Sequence, residues 1–463
     1  MTSFDSLPLK PALLASVQML GYTTMTPVQA QSLPPMLAGR DVIAQAQTGS
    51  GKTAAFALNL LQLIDADVIR LQALVLCPTR ELADQVSKAI RKLAANIPNV
   101  KLLTLCGGMP LGPQLASLTH DPHIVVGTPG RVQEHLKKGS LHGGGIKVLV
   151  LDEADRMLDM GFTEAIDDII GRIARHHQTL LFSATYPDAI RAVSGRVQDD
   201  PVEVTVDAPA DERPAIEQRF HEVDPAQKID ALTQVLGHHA AGVAQSQALV
   251  FCNMRREVDA VAQELDRRGF SALALHGDMD QRDRDEVLVR FANHSCAVLV
   301  ATDVAARGLD IVALPLVVSY DIAHDPETHT HRIGRTGRAG QSGLAITLCT
   351  PRERPKAANI EELDGAPLPW RPLKVAPPRG KTLHLAPMKT LVIDAGRHDK
   401  LRPGDILGAL TGDAGLDAKD IGKIDVFATR AYVAITRTLA NRALERMRAS
   451  GIKGRNFRVR PLG

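Results

Sequence analysis

Aromatic residues make up only 3% of the 463-residue chain, with a single tryptophan, and no apolar run approaches the 18 or more residues of a membrane-spanning helix. Runs such as Val148 to Leu151 are far too short, which argues against membrane insertion. Met1 to Lys10 shows no signal-peptide pattern, so the expected location is the cytoplasm. Cysteine is scarce as well. The five thiols at 77, 106, 252, 296 and 349 are odd in number and widely spaced, which fits neither a disulfide framework nor a paired-cysteine zinc site. They are expected to be reduced and buried. Nor is there an overall excess of one charge, with 54 Lys+Arg against 52 Asp+Glu. What the chain does hold is 44% hydrophobic and 23% charged residues, a globular composition whose length suggests about three domains of roughly 150 residues.

The near-neutral total conceals a partition. Residues 381–463 carry 16 basic against 8 acidic residues, a net of +8, whereas residues 1–380 carry a net of −6. A polyanion is expected to dock on the basic end. Five prolines and the lone Trp370 between Leu363 and Lys381 read as an extended linker. A softer joint lies at Asp207 to Pro214. The expected divisions are 1–206, a linker at 207–215, 216–361, a proline-rich linker at 362–385, and 386–463.

Both long segments repeat short Val/Leu/Ile runs, each followed by a polar turn and a helical pattern. Ala73 to Cys77, Ile124 to Gly127, Val148 to Leu151 and Thr179 to Phe182 are examples in the first. Ala248 to Cys252, Ala272 to Leu275, Val298 to Ala301 and Leu316 to Ser319 are examples in the second. Such runs are the buried strands of parallel α/β sheets, where ligand groups collect at the carboxyl ends.

The sharpest motif stands at such an end. Ala46, Gln47, Thr48, Gly49, Ser50, Gly51, Lys52 and Thr53 follow the strand-like Val42 to Ala44 and precede a helical pattern. This is a phosphate loop with Ala at its first glycine position. Gly49 and Gly51 let backbone amides turn toward phosphate oxygens, Lys52 meets the β/γ charge, and Thr53 is placed to ligate Mg²⁺. One hundred residues beyond Lys52, the run Val148 to Leu151 ends in Asp152, Glu153, Ala154 and Asp155. Asp152 directly after a hydrophobic strand suits Mg²⁺ held through water, and Glu153 suits the orientation of attacking water.

With DEAD standing literally at 152–155 and a whole motif series in order over residues 4–350, the chain resembles the DEAD-box RNA helicases. The resemblance implies two tandem RecA-like parallel-sheet domains that use ATP and Mg²⁺. It implies that Gln29 reads the adenine edge and that Tyr22 packs on the adenine ring. PTRELA at 78–83, Gly107 with Gly108, and TPGR at 128–131 resemble the RNA-contacting motifs, which places Pro78, Arg80, Gly108, Thr128 and Arg131 on a sugar-phosphate track. The SAT motif implies that Ser183 and Thr185 link Asp155 to the RNA site. In the second domain, ATDVAARGLDI implies that Thr302 touches RNA and Asp310 the ribose. HRIGRTGRAG places Arg335 and Arg338 three residues apart on one helical face, as fingers for the γ-phosphate, with His331 in a coupling role. Asn253, His276 with Gly277, and Gln281 with Arg284 are expected at the RNA or domain interface. Because Lys52 and Glu153 belong to one domain and the fingers to the other, hydrolysis is expected to require closure, reciprocally coupled to RNA binding.

The tail reads as strand, helix, two strands, helix and strand, which suits a small α+β RNA-recognition-motif-like domain. Its aromatic stacking signature is poor: TRAYVAI at 429–435 offers only Tyr432. The stretches at 401–424 and 451–460 resemble instead the C-terminal domain of DbpA-type helicases. That implies binding of a hairpin of large-subunit (23S) ribosomal RNA and action on pre-ribosomal particles. The candidate contacts are Arg397, Lys400, Arg402, Lys423, Arg430, Lys453, Arg455 and Arg458. The expected function is ATP-dependent local unwinding of short RNA duplexes by a monomer; the alternative is an ATP-gated RNA clamp without strand separation.

Overall fold

The computed structural model describes every residue except 1–2, 47–48, 184, 187, 207–215, 243–246, 307–313, 338–341, 376–383, 413–414 and 463. Two compact units divide near residue 212. In the first, seven strands form one sheet: β1 Val42–Gln45, β2 Ala73–Leu76, β3 Leu102–Leu105, β4 Ile124–Gly127, β5 Val148–Asp152, β6 Gln178–Ser183 and β7 Val202–Thr205. Their order is β3-β4-β2-β5-β6-β1-β7, and all pairs are parallel. β2, β4, β5 and β6 are buried along their whole length, because helices cover both faces. The register places Gln45 opposite Ser183 and Asp152 opposite Phe182, so the chain emerges from β1, β5 and β6 at adjacent points of one sheet edge. Helix Lys52–Leu63 leaves from that edge with a continuous buried face, and its Phe56 ring packs 5.3 Å from that of Phe182.

The second unit contains a six-stranded parallel sheet of β8 Ile216–Glu222, β9 Ala248–Phe251, β10 Ala272–Leu275, β11 Val298–Ala301, β12 Leu316–Ser319 and β13 Gly343–Cys349, ordered β10-β11-β9-β12-β13-β8. Within the same unit lies an antiparallel sheet of β14 Met388–Ile393, β15 Ile421–Val426, β16 Ala431–Thr436 and β17 Val459–Pro461, ordered β15-β16-β14-β17. Alternation sorts its side chains. Leu391, Ile393, Ala431, Val433 and Ile435 join a core with helices Pro403–Thr411 and Ala440–Ser450. The intervening Val392 and Tyr432 point to the other face, where with Leu462 they bury Val289 of helix Gln281–Ala292. Fully burying such side chains contributes roughly 1.5–3 kcal/mol each. Thr390 Oγ1 also lies 2.8 Å from Ser295 Oγ, and Arg430 pairs with Glu286 at 3.1 Å. The small domain therefore shares a unit with the second parallel sheet.

The proline-rich segment is also more than a tether. Phe220 N–H donates to Pro369 O at 3.1 Å, Arg371 N–H donates to Phe220 O at 2.8 Å, and Trp370 stacks obliquely on Phe220 at 5.5 Å, with Arg354 over its other face at 3.9 Å. All five cysteines are buried free thiols. No helix among the described residues is long and apolar enough to cross a membrane.

Candidate active site and RNA interface

Gly51 ends the phosphate loop in the left-handed region at φ 95°, and a Cβ there would lie 2.6 Å from Gln29 Nε2. That close approach joins the loop to helix Pro27–Leu37: Gln29 Nε2 donates to Gly51 O at 3.1 Å, while Gln29 Oε1 accepts from Thr26 N–H at 2.9 Å. An amide has two donors and two acceptor lone pairs, so one of each remains for an adenine edge. Tyr22 is 41% exposed beside the buried Phe4, with ring centroids 6.4 Å apart. Lys52 is buried in the first helical turn and donates from Nζ to Ala46 O at 2.5 Å. Burial lowers its pKa, against the pull of Asp152. Thr53 is half-buried next to it, and Ala46 N–H donates to Ser183 O at 3.0 Å. Gln47 and Thr48 lie outside the described residues, as do Asp310 and Arg338.

The carboxylates at the end of β5 are all buried. Burial, and then the neighbouring Glu153, push Asp152 up to about 7. Glu153 has φ 52°, a strained backbone for a non-glycine residue, and its Oε2 accepts from Arg156 Nη1 at 2.8 Å. Sequence reasoning missed Arg156. Its spacing three residues after Glu153 was the available signal, since i and i+3 share a helical face. Asp155 Oδ2 accepts from both Thr185 N–H and Thr185 Oγ1 at 3.1 Å. The Ser183 hydroxyl is buried without a hydrogen-bond partner, so of the two SAT hydroxyls only that of Thr185 reaches Asp155.

Pro78 is buried after β2, and Thr79 Oγ1 caps helix Arg80–Leu93 by accepting from Leu82 N–H at 3.2 Å. Gly107 N–H donates to Thr128 Oγ1 at 3.3 Å, and Gly108 follows at φ 72°. Arg131 is engaged within its own domain. Its guanidinium bonds Gln114 Oε1 at 2.9 Å, Met109 O at 3.0 Å and Glu134 at 3.1 Å, which fixes the loop after Gly108.

In the second unit the helix of the HRIGRTGRAG motif is shorter than its sequence suggests. It runs Pro326–Ile333 and stops at Gly334, so Arg335 lies in the following turn, where its carbonyl accepts from Leu314 N–H at 3.1 Å. The expected shared helical face for Arg335 and Arg338 is therefore corrected: Gly334 ends the helix before Arg335. The residue that organises this region is Arg332, 1% exposed. It forms a two-pronged bridge to Asp303 at 2.7 Å from Nε and Nη2, and also donates to Asn253 Oδ1 at 2.7 Å. Asn253 in turn donates its N–H to Asp321 and its amide to Ile322 O, both at 3.0 Å, so its polar groups are committed inside the domain. His331 and Arg335 line a small cavity with Phe251, Asp303, Ala306 and Thr328. Thr302 Oγ1 accepts from Ala305 N–H at 3.4 Å, starting helix Asp303–Ala306. Arg284 sits in the first turn of helix Gln281–Ala292, beside Gln281, whose amide donates to Asp285 at 2.8 Å. His276 Nε2 lies 3.0 Å from Asp259.

On the small domain, two loops bring the basic residues together. Arg455 Nη1 donates to Asp399 O at 3.0 Å, and Lys453 pairs at 3.5 Å with Asp405, whose other oxygen accepts from Arg402 N–H. Arg397, Lys400 and Arg402 are exposed on the adjoining turn. Arg430 is instead committed to Glu286 and Asp394, at 3.1 and 3.7 Å.

The profile of the DEAD/DEAH box helicases matches residues 26–193, that of the helicase conserved C-terminal domain residues 227–340, and that of the DbpA RNA binding domain residues 390–461. The chain is 54% identical to the ATP-dependent RNA helicase DbpA of Escherichia coli over 465 residues, spanning 100% of each protein. It belongs to the DbpA-type DEAD-box RNA helicases. The chain is also 45% identical over 361 residues to the DEAD-box ATP-dependent RNA helicase CshA of Bacillus cereus, covering 78% of this chain and 68% of that protein. Among solved structures, S. cerevisiae Dbp5 bound to RNA and ADP BeF3 is similar, with a TM-score of 0.71 and 29% identity over 80% of this chain and 96% of that one. This DbpA-type chain is therefore an ATP-dependent RNA helicase with two RecA-like domains and a DbpA RNA-binding domain. Of these three, DbpA is the one matched over the full length of the chain.

Proposed function

We propose that this helicase couples hydrolysis of Mg²⁺-bound ATP to local opening of short RNA duplexes, and that its small domain delivers it to a hairpin of large-subunit ribosomal RNA during assembly of that subunit. The observation that carries the targeting is the convergence of Arg397, Lys400, Arg402, Lys453 and Arg455 on two bonded loops of the small domain, within residues 381–463 of net charge +8. Thr53 and Asp152 fit a magnesium ion. Asp152 is buried among carboxylates, its pKa is pushed to about 7, and a dication supplies the missing positive charge. No cluster of three metal-ligating side chains exists among the described residues, as suits an ion held by one or two protein oxygens, water and phosphates. In this reading Lys52 and the loop amides hold the phosphates, and Glu153 orients water while Arg156 fixes its carboxylate. Arg335 and Arg338 neutralise the γ-phosphate, and Asp310 holds the ribose. Hydrolysis then needs both halves of the helicase, and RNA favours their meeting.

The test is a paired substitution. Arg397→Glu with Arg402→Glu should leave basal ATPase intact and abolish preference for ribosomal hairpin RNA over unrelated RNA; retained preference contradicts the targeting. ATP-dependent loss of a short duplex separates the helicase reading from an ATP-gated clamp.

A further inference from the structure

The sheet face on which a domain of this topology would present bases is covered by helix Gln281–Ala292, yet one large aromatic ring remains in solvent at its rim. Phe427 follows the edge strand β15 and is 45% exposed, unlike Tyr432 at 6%. Its position is set rather than loose. Phe427 N–H donates to Arg430 O at 2.7 Å, and Phe427 O accepts from Arg397 N–H at 2.8 Å. Ala428 O accepts from His398 N–H at 2.9 Å. A Cβ on Gly396 would lie 2.4 Å from Phe427 O, so this close approach of two loops depends on glycine. The ring stands nearly perpendicular to Tyr432, at 85° and 5.6 Å between centroids, with nearly half of the residue in solvent.

Two segments linked to this loop carry basic side chains. Arg397, His398 and Lys400 are exposed on the loop whose backbone bonds Phe427 and Ala428. The second is reached through Arg430, which pairs with Glu286; Glu286 also holds the largely exposed Arg282 at 3.3 Å, in the first turn of the helix that carries Gln281 and Arg284. A solvent-exposed aromatic ring beside loops that carry arginine and lysine suits an unpaired nucleotide, with stacking on the base and positive charge on its phosphates.

We propose that Phe427 is a base-stacking residue for RNA, holding an unpaired nucleotide at the junction between the small domain and the second helicase domain. The inference rests on the hairpin-targeting reading and adds to it a stacking residue off the covered sheet face, beside the Arg397 loop.

The experiment uses the full chain and a large-subunit ribosomal RNA hairpin with unpaired flanks, in which 2-aminopurine replaces one unpaired base at a time. One position should be quenched on binding. Phe427→Ala should lose that quenching and bind about tenfold more weakly, the scale of one lost stacked base. Phe427→Leu keeps apolar bulk against Tyr432 without a π-face and should behave like Ala, whereas Phe427→Trp should retain both signals. Hairpin preference that persists with affinity and quenching unchanged in Phe427→Leu overturns the inference alone. An intact chain with no preference for the hairpin overturns the targeting reading and the inference together.

Discussion

Thr185 gives both of its donors, backbone N–H and Oγ1, to a single oxygen of Asp155, at 3.1 Å each. Asp155 belongs to the acidic motif after β5, and Thr185 to the chain leaving β6, so two adjacent strand ends are tied by one carboxylate. A hydrogen bond to a charged acceptor is worth about 1.5–3 kcal/mol. Thr185→Val removes one of the two and keeps the side-chain volume. It should leave ATP affinity near its normal value and lower RNA-stimulated turnover by at least about tenfold. ATPase assays with and without RNA check this.

Arg156 and Glu153 are paired at 2.8 Å with side chains 4% and 9% exposed. Removing one member of such a pair strands a buried charge, at a cost of about 3–5 kcal/mol. Arg156→Met should therefore lower the urea stability of the first unit by that order, and Arg156→Lys by less. Equilibrium unfolding gives the comparison.

Burial, and a hydrogen bond to Asp321, raise Glu257 to about 7, while that bond and Lys228 hold Asp321 ionised. Between about pH 4.5 and 7 the folded chain thus keeps a proton on Glu257 that the unfolded chain has released. This contribution to stability is fully present below that window and is lost as pH rises through it. Glu257→Gln should flatten the decline of the urea midpoint between pH 5 and 7, measured by circular dichroism.

Val289 is 8% exposed between Val392, Tyr432 and Leu462. Val289→Glu places an unpaired carboxylate there and should free the small domain. The expected signature is faster amide exchange in β14 and β16, read by hydrogen exchange.

The phosphate loop, the DEAD carboxylates and the strand order of the small domain were legible because each rests on a local spacing or period. Arg156 carries such a spacing too, three residues after Glu153; Arg332 and Lys228 do not. Arg332 meets Asp303 and Asn253 from 29 and 79 positions away, and Lys228 meets Asp321 across 93, separations that no periodicity encodes. The basic spacing of HRIGRTGRAG suggests a helix through Arg335, but Gly334 caps the helix one residue before it. The docking of the small domain was hidden for another reason. Val392 and Tyr432 read as one face of a strand, but only packing reveals that Val289 covers it.

The most direct measurement is steady-state ATPase of the intact chain with three nucleic acids of equal length: a large-subunit ribosomal RNA fragment containing the hairpin, an unrelated RNA, and DNA. Strong stimulation by the first, weak by the second and none by the third is the predicted result. Equal stimulation by all three would contradict the account.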